Sequence, residues 1–452
     1  MNLLKAACTY LLSSEFRRHL LLCFTMGCGI FDVSSDVFST QSFFASGRNE
    51  IAYALLSTIL LSYTIQAIFV LLVHRRQGKC GLALEMCYVL LGLKPFVDTY
   101  RVIARVRIPG STVDPAMERT VCEAIEIVVE AIPAATIQLV DVLGGSDPSL
   151  ATLLSITASC ITIAILTATM FWDKDRDAQL KLEFPSFYGA ARETRSLRSV
   201  TAVSLFLFSL THVLSALSCI SLLITTRAAA LAAYLTARMM LYLTYRAVRR
   251  NWAYWIPGMS PLLALLPRVI GKLLVDFTGN PQLRHPYEVG GAYWLFTCVE
   301  TQLAAVGSAL AYSYFNTSTV RVPDSTLLIF FGVLLGVWAI ALASFLLCSN
   351  RSHWRTFFSI ETAAQFSLSV FRGHIGDDER RMIVFRDNEA LWLSFRPEVA
   401  NWVASNHPSW TGPDAPPWFT DATRATIPTN MLPLTDLAIV PSRSSVTTAA
   451  SH

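Results

Sequence analysis

Apolar residues along this chain gather in runs of about twenty, long enough for an α-helix to cross a hydrocarbon layer about 30 Å thick. Eight such runs cover roughly 20–44, 51–73, 117–143, 150–172, 199–222, 228–245, 293–315 and 326–348. Two further apolar pieces are too short or too interrupted to cross. One is 81–93; the other, 255–276, holds Pro257, Pro261, Pro267 and Gly271. The pattern predicts an all-α membrane protein with about eight transmembrane helices and two half-length re-entrant helices.

Basic residues then assign the loops to sides. Lys5, Arg17 and Arg18 precede the first run, and His74, Arg75, Arg76 and Lys79 follow the second. Lys174, Arg176, Lys181, Arg192, Arg195 and Arg198 follow the fourth; Arg246, Arg249 and Arg250 follow the sixth; Arg351 and Arg355 follow the last. The alternate loops are nearly bare of Lys and Arg. Short basic loops stay in the cytosol, so both termini are expected there. The alternation holds throughout if the two short pieces enter and leave on one side. The membrane is expected to be the plasma membrane or an endomembrane.

Corresponding segments of the two halves start about 174–179 residues apart, which predicts a duplicated unit of two spans, a broken piece and two more spans. An even number of crossings per unit makes the two repeats parallel, and paired interrupted segments point to a functional centre. The expected division is 1–185 for the first membrane repeat, 186–348 for the second, and 349–452 for a cytosolic tail. That tail is read as a small helical module with a disordered end.

Composition agrees with this solvent. Of 452 residues, 53% are hydrophobic and only 15% charged, which excludes an ordinary soluble enzyme. A net charge of +4 is too small to imply a nucleic-acid partner. The ten cysteines sit mostly in apolar stretches with no zinc-type spacing, so no metal or cofactor is expected. No phosphate-cradling glycine run, Ser/His/Asp elbow or HExxH is present. No enzymatic activity is expected.

The informative exceptions are ionisable residues inside the runs. Asp32 and Asp36 stand four apart, on one helix face. Glu123, Glu126 and Glu130 share a face of the third run, followed by Pro133, an expected kink, then Gln138 and Asp141. Glu300 lies at the repeat equivalent of Glu123. Arg238, Arg268 and Lys272 are candidate charge partners, and His212 reads as a hydrogen-bonded core histidine. A charge at the middle of a spanning helix costs about 2.5–3.5 kcal/mol even on the lenient scale. These acids must therefore face one another, a base or water. Two readings stay open. They pair with Arg238, Arg268 or Lys272 and hold the bundle, or they line a path for ions, protons or lipid headgroups.

Phe31-Asp-Val-Ser-Ser-Asp-Val37, with the Thr64–Arg76 stretch after it, resembles the first two spans of the XK-related membrane proteins. The Glu123–Leu139 segment, with spaced Glu, a Pro and a Gln, is similar to that family's Glu-rich helix. The end of the fourth run, Phe171–Arg176, is similar to its aromatic-plus-basic exit. The resemblance covers 25–180; Ala134 stands where the family has Gln. It implies phospholipid scrambling without ATP, with Asp32, Asp36, Glu123, Glu126 and Glu130 as a stair of polar sites for headgroups. The partners it implies are membrane phospholipids and a single-span companion or lipid-transfer protein. A proton- or cation-coupled transporter or channel, and a non-transporting scaffold that recruits a lipid-transfer partner, are the alternatives.

Overall fold

The computed structural model describes residues 14–350 apart from 105, 107, 109–110, 112, 146–148, 178–179, 181–187, 193, 249–271, 282–290 and 316–322, together with Trp354, Phe357 and Phe358. Nearly all of the expected tail, the candidate partner Arg268 and most of the second short piece lie outside the described residues.

Within them every regular element is helical. The order is α1 (Ser14–Ala45), α2 (Asn49–His74), α3 (Lys79–Leu90), α4 (Lys94–Ala104) and α5 (Pro115–Ile125), then a π turn (Glu126–Ala131) running into α6 (Ile132–Leu143). After these come α7 (Leu150–Arg176), α8 (Arg195–Thr226), α9 (Ala228–Val248), a short helix over 272–278, α10 (Gly291–Phe315) and α11 (Asp324–Cys348). Five of these, α2, α7, α8, α10 and α11, are long and apolar enough to cross a membrane, or six if the bent pair α3–α4 counts as one span. In α1 and across 115–143 the acids dilute the hydropathy that length alone would give.

Local chemistry explains the breaks. α1 ends in a Schellman motif: Gly47 sits at φ 74°, its N–H donates to the Phe44 carbonyl and Arg48 N–H to that of Phe43. The same motif closes α3, with Gly92 at φ 68° and Leu93 N–H donating to the Tyr88 carbonyl at 2.8 Å. Pro95 then stands in the first turn of α4, where a missing N–H costs nothing. The two helices are bent by 118°, so α4 runs partly back along α3. Ser149 caps α7 through its hydroxyl, which accepts from Thr152 N–H at 3.1 Å.

The expected kink at Pro133 takes the form of the π turn just before it. Pro133 has no N–H for the carbonyl of Val129 and its ring crowds that group. A wider turn relieves both, and Ile132 N–H reaches the carbonyl of Ile127, five residues back.

Packing centres on α8, which lies against α6, α7, α10 and α11. In the first half α1 packs mainly on α7, and α2 packs on α1, α3 and the π turn. The largest apolar cluster joins Phe171, Phe208, Trp294, Trp338, Phe345, Trp354 and Phe357. Trp294 is fully buried and its indole N–H donates to the carbonyl of Gly279 at 2.6 Å. Gly279 is at φ 68°, and a Cβ there would come within 2.9 Å of the Phe208 ring. Gly279→Ala is therefore expected to destabilise the protein by about 1–2 kcal/mol through left-handed strain, with the clash adding to it. A thermal melt in detergent reads this; an unchanged midpoint would show that the backbone relaxes there freely.

Candidate functional site

Asp32 and Asp36 are 3% and 1% exposed, on the face of α1 turned to α7. α7 answers with hydroxyls at the same four-residue spacing in antiparallel order. Ser159 donates to Asp32 at 2.6 Å and Ser155 to Asp36 at 2.5 Å. Gln138 on α6 donates its amide N–H to Ser155 at 2.8 Å and to Asp36 at 3.4 Å. The result is a relay in which amide polarises hydroxyl and hydroxyl polarises carboxylate.

The π turn brings Glu126 and Glu130 to the same column, 8% and 2% exposed. A Cβ on Gly29 of α1 would lie 3.4 Å from the Glu126 carboxylate, so the glycine leaves room for that side chain against the helix. Glu130 stands beside Ser62 of α2 and within electrostatic reach of Asp32 and Asp36. Among the described residues no basic side chain forms an ion pair with Asp32, Asp36, Glu126 or Glu130.

The neighbouring acids do have cations. Glu123 pairs at 2.6 Å with Arg119, one turn earlier on α5, and Arg119 also donates to Thr25 at 3.0 Å. Asp141 pairs with Arg48 at 2.6 Å. Next to them α2, the bent pair and α5 enclose a second cluster that the sequence reading did not single out. Lys94 is 1% exposed and gives its ammonium protons to Glu85 at 3.1 Å, Asp98 at 2.9 Å and Glu118 at 2.5 Å. Arg101 grips both carboxylate oxygens of Glu85 and donates to Asp98 at 3.3 Å. His74, wholly buried, contacts Glu118 through Nε2 at 2.7 Å. His74, Glu85 and Glu118 present their ligand atoms within 4.8 Å of one another. The Lys94 ammonium already bonds both carboxylates and supplies the positive charge that a metal would bring. A buried ion cluster of this kind holds only while every member keeps its partners.

In the second half Arg238 donates to Tyr234 at 3.0 Å and Thr301 at 3.1 Å, and stands 3.7 Å from Asp276 and 3.6 Å from Glu300. Lys272 pairs with Asp276. His212 contacts the Asp276 carbonyl at 3.2 Å and Gln302 at 3.4 Å, and Ser215 donates to Gln302 at 2.8 Å. Arg238 and Lys272 thus face Asp276 and Glu300. The acids of α1 have hydroxyls and an amide instead.

Ser155 and Ser159 carried only a faint signal, a pair of hydroxyls at the same spacing as the aspartates they meet. The Lys94 cluster carried none, because Glu85, Glu118 and His74 meet Lys94 only through the bend between α3 and α4. Compared with known proteins, the chain matches no family model and no curated protein.

Proposed function

We propose that this protein passes the polar headgroups of phospholipids between membrane leaflets, without ATP, along the column of Asp32, Asp36, Glu126 and Glu130. The observation that carries the reading is a run of four buried carboxylates with no ion-paired cation among the described residues, Asp32 and Asp36 being held instead by hydroxyls and an amide. A set of acids kept only to clamp helices would be matched with bases, as Glu123, Asp141 and the Lys94 cluster are. The outer face of α1 and α2 supports it further. Phe31, Phe38, Tyr53, Leu60 and Leu61 are exposed there, an apolar surface on which acyl chains would ride while the headgroup follows the acids.

On this reading the chain crosses the membrane eight times in two parallel repeats. Two arrangements support that count. α1 packs mainly on α7, and α8 packs on α11 somewhat more than on α10, so the first and last spans of each unit are paired in both halves. The 118° bend between α3 and α4 suits a piece that enters and returns on one side. The basic loops would then place both termini in the cytosol.

The test is reconstitution into liposomes carrying a fluorescent lipid that dithionite bleaches from outside. Bleaching of both leaflets is the expected outcome. Asp36→Asn and Glu126→Gln should slow the exchange by about tenfold, equivalent to about 1.4 kcal/mol on the barrier. Bleaching confined to the outer leaflet, with folded protein in the vesicles, would end the lipid reading. Ion flux without lipid flux would replace it with a channel or transporter built on the same acids.

A further inference from the structure

One corner of the column holds more oxygen acceptors than the protein has donors to give them. At the junction of α1, α2, the π turn and α6, several buried oxygens have no hydrogen-bond partner. They are both carboxylate oxygens of Glu130, Oδ2 of Asp36, Oε1 of Gln138 and Oγ of Ser39. The Ser62 hydroxyl, which accepts from Gln66 at 3.2 Å, stands beside Glu130 with its own proton to turn toward it, one donor for two carboxylate oxygens. The groups are 2% exposed or less, and Asp36, Ser39 and Gln138 are 1% or less.

Orphaned acceptors are unusual in a protein interior, because each lost partner costs about 1–3 kcal/mol. A site of two carboxylates, a carboxamide oxygen and a few hydroxyls is rich in negative charge and short of donors, and the kind of group it lacks is a cation. Two carboxylates, a carboxamide oxygen and hydroxyls form an all-oxygen donor set, which suits a hard ion and excludes the soft metals that take sulfur or imidazole. Among the described residues no protein cation serves it: Arg238, Lys272, Arg119, Arg48 and Lys94 are each engaged with other acids.

We infer that the Asp36–Glu130–Gln138 corner binds an inorganic alkali cation of sodium type, with Ser39 and Ser62 hydroxyls completing its shell. The ion would neutralise the column in its resting state. The inference rests on the same column as the proposed lipid path, yet it makes no use of lipid movement.

The full chain, purified in detergent, is melted in sodium chloride and in N-methylglucamine chloride at matched ionic strength. The midpoint is expected to rise by about 3 °C in about 150 mM sodium, through preferential binding to the folded state. Glu130→Gln removes a charge and supplies an amide donor, so it should abolish the sodium dependence while keeping the protein as stable in N-methylglucamine as the wild type is in sodium. Asp36→Asn gives a second, independent removal. Equal midpoints in the two salts would overturn the inference, as would a sodium shift that survives in both variants. A midpoint that responds to pH alone, without distinguishing the salts, would assign protons to the corner and overturn it too. Because no lipid exchange is read, either result leaves the liposome test of the lipid path standing on its own.

Discussion

Lys94→Ala is expected to lower the stability of the protein by about 3–5 kcal/mol, because it strips the shared cation from Glu85, Asp98 and Glu118 while all three stay buried. The desolvation of three carboxylates would remain without the ammonium that offsets it. Arg101 still reaches Glu85 and Asp98, but Glu118 would keep only His74. The effect should be read as a loss of folded, monodisperse protein in detergent and as a lowered melting midpoint. Glu118→Gln added to Lys94→Ala should recover part of the loss by removing the stranded charge, and the double-mutant cycle measures how far the two are coupled. Arg101→Ala should cost less, because its side chain is 12% exposed and Lys94 continues to serve both of its acids. A wild-type midpoint for Lys94→Ala would show that the bent pair is held by its apolar contacts and not by this cluster.

The other large effect is expected at Trp294. Its indole is buried among Phe208, Trp354 and Phe357, at ring-centre distances of 6.3, 6.0 and 5.9 Å. It also ties α10 to the end of the 272–278 helix through Gly279. Trp294→Ala should cost about 3–5 kcal/mol by opening a cavity that rigid neighbouring rings cannot fill. Trp294→Phe keeps most of the ring contact and loses the hydrogen bond, so it should cost distinctly less, with about 1 kcal/mol of it from the bond. The comparison is made by thermal or denaturant unfolding in detergent. Equal costs for the two substitutions would assign the effect to the bond to Gly279 and leave the ring stack with little.

How much of this was written in the sequence differs by element. The helices follow the apolar runs closely: 51–73 became Asn49–His74 and 326–348 became Asp324–Cys348. A run of apolar side chains with no breaker has one regular way to satisfy its backbone in hydrocarbon. The clustering of Asp32 and Asp36 on one face was legible from helical period alone. Their partners were less so, because Ser155 and Ser159 look like ordinary small residues of a spanning helix until α1 and α7 are laid antiparallel. The Lys94 cluster was hidden for another reason. Lys94, Asp98 and Arg101 follow Gly92 and look like loop charges, and only the Schellman turn and the bend fold them back onto Glu85, Glu118 and His74. Arg119 and Arg48, the partners of Glu123 and Asp141, stand at the ends of runs, where a basic residue reads as a mark of topology. The π turn had a trace in Pro133, which announces a disturbance upstream but not its form.

The π turn also sets the phase of everything after it. A turn wider than α carries one surplus residue, so the helix beyond it is rotated relative to the helix before it. Replacing the cause of the wide turn, Pro133, with the residue count kept, would let an unbroken α-helix form and swing α6 by about 100°. Gln138 would then leave Ser155 and Asp36 and Asp141 would leave Arg48, although none of those side chains had been altered. The segment therefore behaves like the setting of a combination lock: losing the wide turn and one residue of Glu126–Ala131 together would keep the phase, whereas either change alone would lose it.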